Sequence, residues 1–189
     1  MILYLHGFRS SPKSFKAKKM GEYMAAMGRA SEYICPQLPA SPLAAIQLLV
    51  GLMEANAMHE ITLIGSSLGG YYATYLTEKF GCKAVLLNPA VQPPRELAKY
   101  VGVTTEYHTD AVFEFKAEYV EQLQAYAIET VLRTENYFLL AATGDELLDW
   151  REMVAHYPTS KQIVIPGSDH GMADFTDYLD QIMAFSDAA

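Results

Sequence analysis

Six strand-length apolar runs recur along this 189-residue chain, and helix-patterned segments separate them. The runs are Ile2–Leu5, 33–35, 61–64, 84–87, Tyr137–Ala142 and 162–165. Most are β-branched or aromatic, and turn residues bound them. Continuous rather than alternating hydrophobicity marks strands covered on both faces, and such strands alternate with helices in parallel sheets. The pattern predicts an α/β fold with a reduced, doubly wound, mostly parallel sheet of about six strands, ordered 2-1-3-4-5-6.

Between the runs, Ala17, Met20, Met24 and Met27 form one apolar stripe, closed by Gly28. Leu43, Ile46, Leu49 and Met53 form another, opened by Ser41-Pro42, and a third helical stretch over 71–80 stops at Gly81. Proline just inside a helix start and glycine just past its end are the expected punctuation. The Met-rich stripes read as core packing. One long interruption, 92–136, separates the fourth and fifth runs, with a helical middle over 116–132 and many Tyr, Phe and Glu. A connection of that length inside a small domain reads as a lid or binding element. The expected organisation is therefore one domain over 1–189 with a lid or cap inserted at about 92–136.

Charge narrows the function. Fourteen Lys+Arg against twenty-two Asp+Glu give a net charge of −8, which repels phosphate backbones, so nucleic acid is not an expected partner. No stretch approaches the ~20 apolar residues of a membrane span. Met1-Ile2-Leu3-Tyr4-Leu5 lacks the basic flank of a signal peptide. Cys35 and Cys82, in no metal-like spacing, read as buried free thiols. A reducing, cytoplasmic location follows as the expectation.

The chemistry concentrates after the strands. Gly65-Ser66-Ser67-Leu68-Gly69-Gly70 follows the third run and fits G-x-S-x-G, with glycine on both sides of Ser67 at a distance of two residues. A serine on a sharp strand-to-helix turn takes a strained backbone, and side chains at those two positions would collide. The turn also brings the N–H of Leu68 to where an oxyanion would form. Ser67 is the candidate nucleophile.

A serine hydroxyl needs an adjacent base. His59 lies at the wrong end of the sheet, His108 inside the inserted segment, and His156 near a helix end. His6 follows the first strand and is expected to brace its loop. His170, in Pro166-Gly167-Ser168-Asp169-His170-Gly171, follows the last strand on the edge where parallel sheets carry their sites, and is the candidate base. Asp145 is the first carboxylate after the fifth run and the candidate orienting acid. Glu146 reads as its bystander, Asp149 as a helix cap, and Asp169 as too close in sequence to His170 to face it. The order Ser67, Asp145, His170 is that of α/β-hydrolases. In a sheet ordered 2-1-3-4-5-6 the loops after strands one and three face each other, so the N–H groups of Phe8 and Leu68 form the expected oxyanion hole.

With these residues in place the chain resembles the small α/β-hydrolases called YqiA-like esterases. The matching stretches are Tyr4-Leu-His-Gly-Phe8, Ser10-Ser-Pro12, Pro36-Gln-Leu-Pro39, Gly65-Ser-Ser-Leu-Gly-Gly-Tyr-Tyr-Ala-Thr74, Asn88-Pro-Ala-Val91 and Thr143-Gly-Asp-Glu146. The flanks of the base, Gly167-Ser-Asp-His-Gly-Met172, differ from the family's usual ones. The resemblance implies hydrolysis of short-acyl carboxylic esters by a triad falling on Ser67, Asp145 and His170; an acyl-enzyme mechanism of this kind needs no cofactor or metal, and no ligand cluster suggests one.

Two other functions are kept beside that expectation. Arg9, Lys13, Lys16, Lys18 and Lys19 cluster after the first strand. They read as a solvated helix face, or alternatively as a contact for the phosphates of an acyl-CoA thioester. A non-catalytic protein using the same cavity for a small ligand is the third reading. For the ester reading, Tyr107, Phe113, Phe115, Tyr119 and Tyr126 are expected to wall the acyl pocket. Glu106, Asp110, Glu114, Glu118, Glu121, Glu129 and Glu135 are expected to make its rim acidic.

Overall fold

The structure, a computed structural model, describes residues 1–105 and 112–188. Strands β1 (Ile2–Leu5), β2 (Tyr33–Ile34), β3 (Thr62–Ser66), β4 (Lys83–Leu87), β7 (Tyr137–Ala142) and β8 (Lys161–Ile165) form a six-stranded sheet in the order β2-β1-β3-β4-β7-β8. Every pairing in it is parallel. The expected order holds, and the connection reverses direction between β1 and β3, where a crevice opens at the carboxyl ends of the strands.

Side-chain alternation divides the core into two halves. Leu3, Leu5, Leu63, Leu86 and Leu139 face helices α2 (Pro42–Ala55), α3 (Leu68–Phe80) and α6 (Trp150–His156), packing on Leu49, Leu76 and Met153. Ile2, Tyr4, Ile64, Val85 and Leu140 face α1 (Phe15–Ala26) and α7 (Leu179–Asp187), packing on Met20, Met24 and Ile182. The inner parallel strands, buried on both sides, thus carry apolar residues on both faces, which is why their runs are continuous, while edge strand β8 stays partly exposed. Ser41 caps α2 by accepting the Ala44 N–H, and Gly81 ends α3 at φ 73°.

Within 92–136 the reading needs correction. The segment holds α4 (Pro93–Leu97), an antiparallel hairpin of β5 (Gly102–Thr105) and β6 (Val112–Phe115), and α5 (Ala117–Gln124). The expected helix over 116–132 ends at Gln124, and the hairpin was not foreseen. Gln122 fastens α5 to the start of α2 by accepting from Ser41 Oγ at 2.9 Å and Leu43 N at 3.1 Å. Phe115 is fully buried against Phe8 and Tyr119 rather than lining a pocket, and Tyr126 packs edge-on against Tyr75. Glu106, Tyr107, His108 and Asp110 lie outside the described residues, as does the side chain of Phe113.

Cys35 and Cys82 are free thiols, half-buried rather than buried. Burial pushes the Cys35 thiol up to about 11 and the Cys82 thiol in the same direction, so neither supplies a thiolate near neutral pH. No helix among the described residues is long and apolar enough to cross a membrane.

Candidate active site

A cavity of about 520 Å³ opens at the carboxyl ends of β1 and β3, with Phe8, Ser67, Leu68 and His170 in its wall. Ser67 stands between β3 and α3 at φ 54° and ψ −120°, a conformation that side-chain-bearing residues rarely adopt. The flanking glycines make that turn possible. A Cβ on Gly65 would lie 2.4 Å from the Gly69 carbonyl oxygen, and one on Gly69 would lie 2.0 Å from that of Leu5. The loop after β1 also packs closely here, since a Cβ on Gly7 would stand 3.2 Å from Ser67 Cβ. Leu68 opens α3, so its N–H is among the first-turn donors that have no acceptor within the helix.

His6 braces this loop, as expected. Its Nε2 accepts from Leu38 N at 3.0 Å, so its Nδ1 carries the proton and donates to Gly7 O at 3.0 Å. Tyr4, at the same end of β1, also lines the cavity, and its hydroxyl has no hydrogen-bond partner among the described residues. Burial pushes its phenol upward, so it remains neutral.

On the opposite wall, His170 Nδ1 meets Asp145 Oδ2 at 2.7 Å. The Asp145 side chain is 0% exposed and that of His170 18%. Asp145 Oδ1 accepts from Leu147 N and Leu148 N, both at 2.9 Å, which fixes the carboxylate's rotation. The bond takes Nδ1 and leaves Nε2 as the nitrogen able to serve Ser67. Among the described residues no hydrogen bond joins Ser67 Oγ to that ring. Unliganded sites commonly hold this contact open until substrate arrives.

The turns bearing Asp145 and His170 are stitched together. Gly144 N donates to Ser168 O at 3.0 Å, and Gly167 N donates to Thr143 Oγ1 at 2.8 Å. A Cβ on Gly144 would fall 2.7 Å from the Gly167 and Ser168 carbonyl oxygens, so only glycine permits the approach. Asp149 caps α6, as expected, by accepting from Arg151 N at 2.9 Å. His59 lies in an exposed turn before β3, and His156 packs on Tyr157 at the end of α6.

Three residues of this region were missed. Asn88, fully buried at φ 44°, accepts from Ala142 N at 2.8 Å and donates to Asp169 O at 3.0 Å. It therefore ties the strand before Asp145 to the turn of His170; a polar residue directly after an apolar strand was its signal. Glu146, read as a bystander, accepts the His170 backbone N–H at 3.1 Å. Lys16, assigned to a solvated face, is 8% exposed and donates through Nζ to His170 O and Gly171 O. Its spacing of four from Met20 already placed it on the apolar stripe.

The inserted segment 92–136 does contribute to the cavity wall, but through residues before the aromatics expected. Leu97 and Tyr100 line it, with Leu147 and Leu148 from the acid's turn. Of the expected acidic rim, Glu114, Glu118, Glu121, Glu129 and Glu135 are exposed and outside the wall. Glu96, Glu146, Lys16 and Lys99 mix both signs there. No group of three or more potential metal-ligating side chains occurs among the described residues.

A family model described as an uncharacterised protein family, UPF0227, matches residues 1–187. A UPF0227 protein of Shewanella woodyi is 25% identical over 154 residues, covering 81% of this chain and 86% of that protein. Among solved structures, mouse alpha/beta hydrolase domain-containing protein 10 superposes with a TM-score of 0.76 at 15% identity, covering 97% of this chain and 89% of the mouse chain. The esterase domain of a Rhodothermus marinus protein gives 0.71 at 16% identity, covering 98% of this chain and 85% of its own. These likenesses show the α/β-hydrolase fold.

Proposed function

The chain belongs to UPF0227, the YqiA-like family, and from that premise we propose that it is a serine hydrolase of small carboxylic esters. The observation that carries this reading is the 2.7 Å bond between buried Asp145 and His170 in the cavity that also holds the strained Ser67. Asp145 keeps the imidazole proton on Nδ1, so Nε2 is free to accept the Ser67 hydroxyl proton as Oγ attacks the ester carbonyl. The N–H groups of Phe8 and Leu68 receive the tetrahedral oxyanion, each donor contributing roughly 3–4 kcal/mol of barrier lowering. His170 then returns the proton to the leaving alkoxide, and water repeats the sequence on the acyl-enzyme. Among the structural neighbours, one is named as an esterase domain, which agrees with this reading.

Substrate size follows from the cavity. A volume of about 520 Å³ with Leu97, Tyr100, Leu147 and Leu148 in its wall suits a small, neutral, largely apolar acyl ester. The thioesterase reading loses support, because Lys16 is committed to backbone carbonyls and Lys19 to Glu22 at 2.8 Å. The test is a panel of nitrophenyl esters of graded acyl length run beside acyl-CoAs, with Ser67→Ala as control. Turnover should peak at short acyl chains and vanish in Ser67→Ala. Preferential use of long-chain acyl-CoA at moderate salt would contradict it.

A further inference from the structure

We propose that Lys16 is a positioning residue for the base: its ammonium anchors the backbone of the His170 turn and so sets where the imidazole stands relative to Ser67. The proposal rests on the reading of His170 as the base. Lys16 is the second residue of α1, on the same face as Met20 and Met24. An aliphatic side chain would suit that position better, because burying an ammonium costs more than its contacts return unless it is well paired. Among the described residues no carboxylate pairs directly with it; Asp145 and Asp169 act on it from farther away. Its hydrogen bonds go instead to two carbonyls more than 150 residues along the chain, His170 O at 3.2 Å and Gly171 O at 3.0 Å.

The turn it holds has little packing of its own. Pro166, Gly167, Asp169 and Gly171 are exposed. Besides the Gly144 N bond to Ser168 O, side chains from three elements fix it: Asn88 after β4, Thr143 and Glu146 after β7, and Lys16 from α1. Asn88 and Glu146 come from the acid's side of the sheet. Lys16 comes from the helix that follows the oxyanion loop, so it links the base turn to the nucleophile's side of the cavity. Its lowered pKa, about 8 through burial, fits a charge kept where it costs folding stability.

The experiment compares wild type, Lys16→Met, Lys16→Arg, Lys16→Gln, the exposed-residue control Lys18→Met, Ser67→Ala and His170→Ala, with nitrophenyl butyrate as substrate and a thermal melt of each protein. Lys16→Met should melt at or above the wild-type temperature yet lose about 10- to 100-fold in kcat with KM nearly unchanged, the scale of a misplaced catalytic group. Lys16→Arg should recover part of the loss, and Lys18→Met should match wild type. If Lys16→Met does not fold, Lys16→Gln, which keeps a donor but no charge, decides by the same kcat loss. A kcat within twofold of wild type in the folded variant, with Ser67→Ala and His170→Ala inactive, overturns the role of Lys16 and leaves the triad standing. Full turnover in His170→Ala removes the base reading, and this proposal with it.

Discussion

The two walls of the cavity are held by different physics. The Ser67 wall is built from backbone: a strained φ of 54°, glycines at 65 and 69 whose Cβ atoms would collide with carbonyls, and Gly7 pressed against Ser67. The His170 wall shares one such device, the close approach at Gly144, but is built mostly from side chains that reach to backbone groups: Asp145 to Leu147 and Leu148, Asn88 to Ala142 and Asp169, Glu146 to the His170 N–H, Lys16 to two carbonyls. A backbone device is all-or-none, because a glycine either permits the approach or does not. A network of hydrogen bonds is graded, since each member can be weakened separately. The Ser67 wall should therefore fail abruptly under substitution, and the side-chain network of the His170 wall by degrees.

Substitutions can break that contrast. Asp145→Asn is the exception on the graded wall, because it changes the imidazole tautomer rather than its position. It should lower kcat on the order of 10⁴-fold with the fold kept. A near-wild-type rate would place the acid elsewhere. Gly69→Ala, on the abrupt wall, should cost more than about 4 kcal/mol or yield no soluble protein, as a Cβ 2.0 Å from the Leu5 carbonyl oxygen demands. Denaturant unfolding or soluble yield reads this, and an ordinary melting temperature would refute the backbone account. Asn88→Ala leaves the Ala142 N–H without its acceptor, so it should destabilise by about 1–3 kcal/mol and lower kcat by a smaller factor than Asp145→Asn.

The smallest kinetic effect is expected at Glu146→Gln, because the amide oxygen can still accept the His170 N–H. Its kcat should stay within a few-fold of wild type. Lys16 gives a pH test of stability. Its pKa falls from an ordinary 10.5 to about 8 in the native state, so between those values the unfolded chain binds more protons and stability rises with pH. Lys16→Met lacks this term, worth at most roughly 3 kcal/mol. Its stability relative to wild type should therefore be highest below about pH 8 and decline towards pH 10. An advantage that grows with pH would show that burial does not depress the lysine.

The contrast between the walls also explains what could be read from the chain. Backbone devices leave local marks: Gly65, Gly69 and the apolar run before them identify Ser67 without knowledge of any distant contact. Asp145 and His170 could be picked out as candidates because parallel strands end where sites form: β7 runs over the residues expected, and β8 starts one residue before its expected run and ends with it. Glu146, Asn88 and Lys16 act through partners 24 to 155 residues away, which no local pattern specifies. The same holds in 92–136, where the hairpin is a pairing of two four-residue strands and Phe115 is buried by a contact with Phe8. Leu97 and Tyr100 line the cavity, and Phe115, Tyr119 and Tyr126 do not.

The account stands or falls on whether Ser67 is a nucleophile that His170 activates. The most direct measurement is labelling of the intact protein by a fluorophosphonate, with the modified residue located by peptide mass spectrometry. One phosphonyl adduct on Ser67 is predicted, formed in wild type and Ser66→Ala, slowed by orders of magnitude in His170→Ala and lost in Ser67→Ala. An adduct on another residue, or labelling of Ser67 at the same rate without His170, would contradict it.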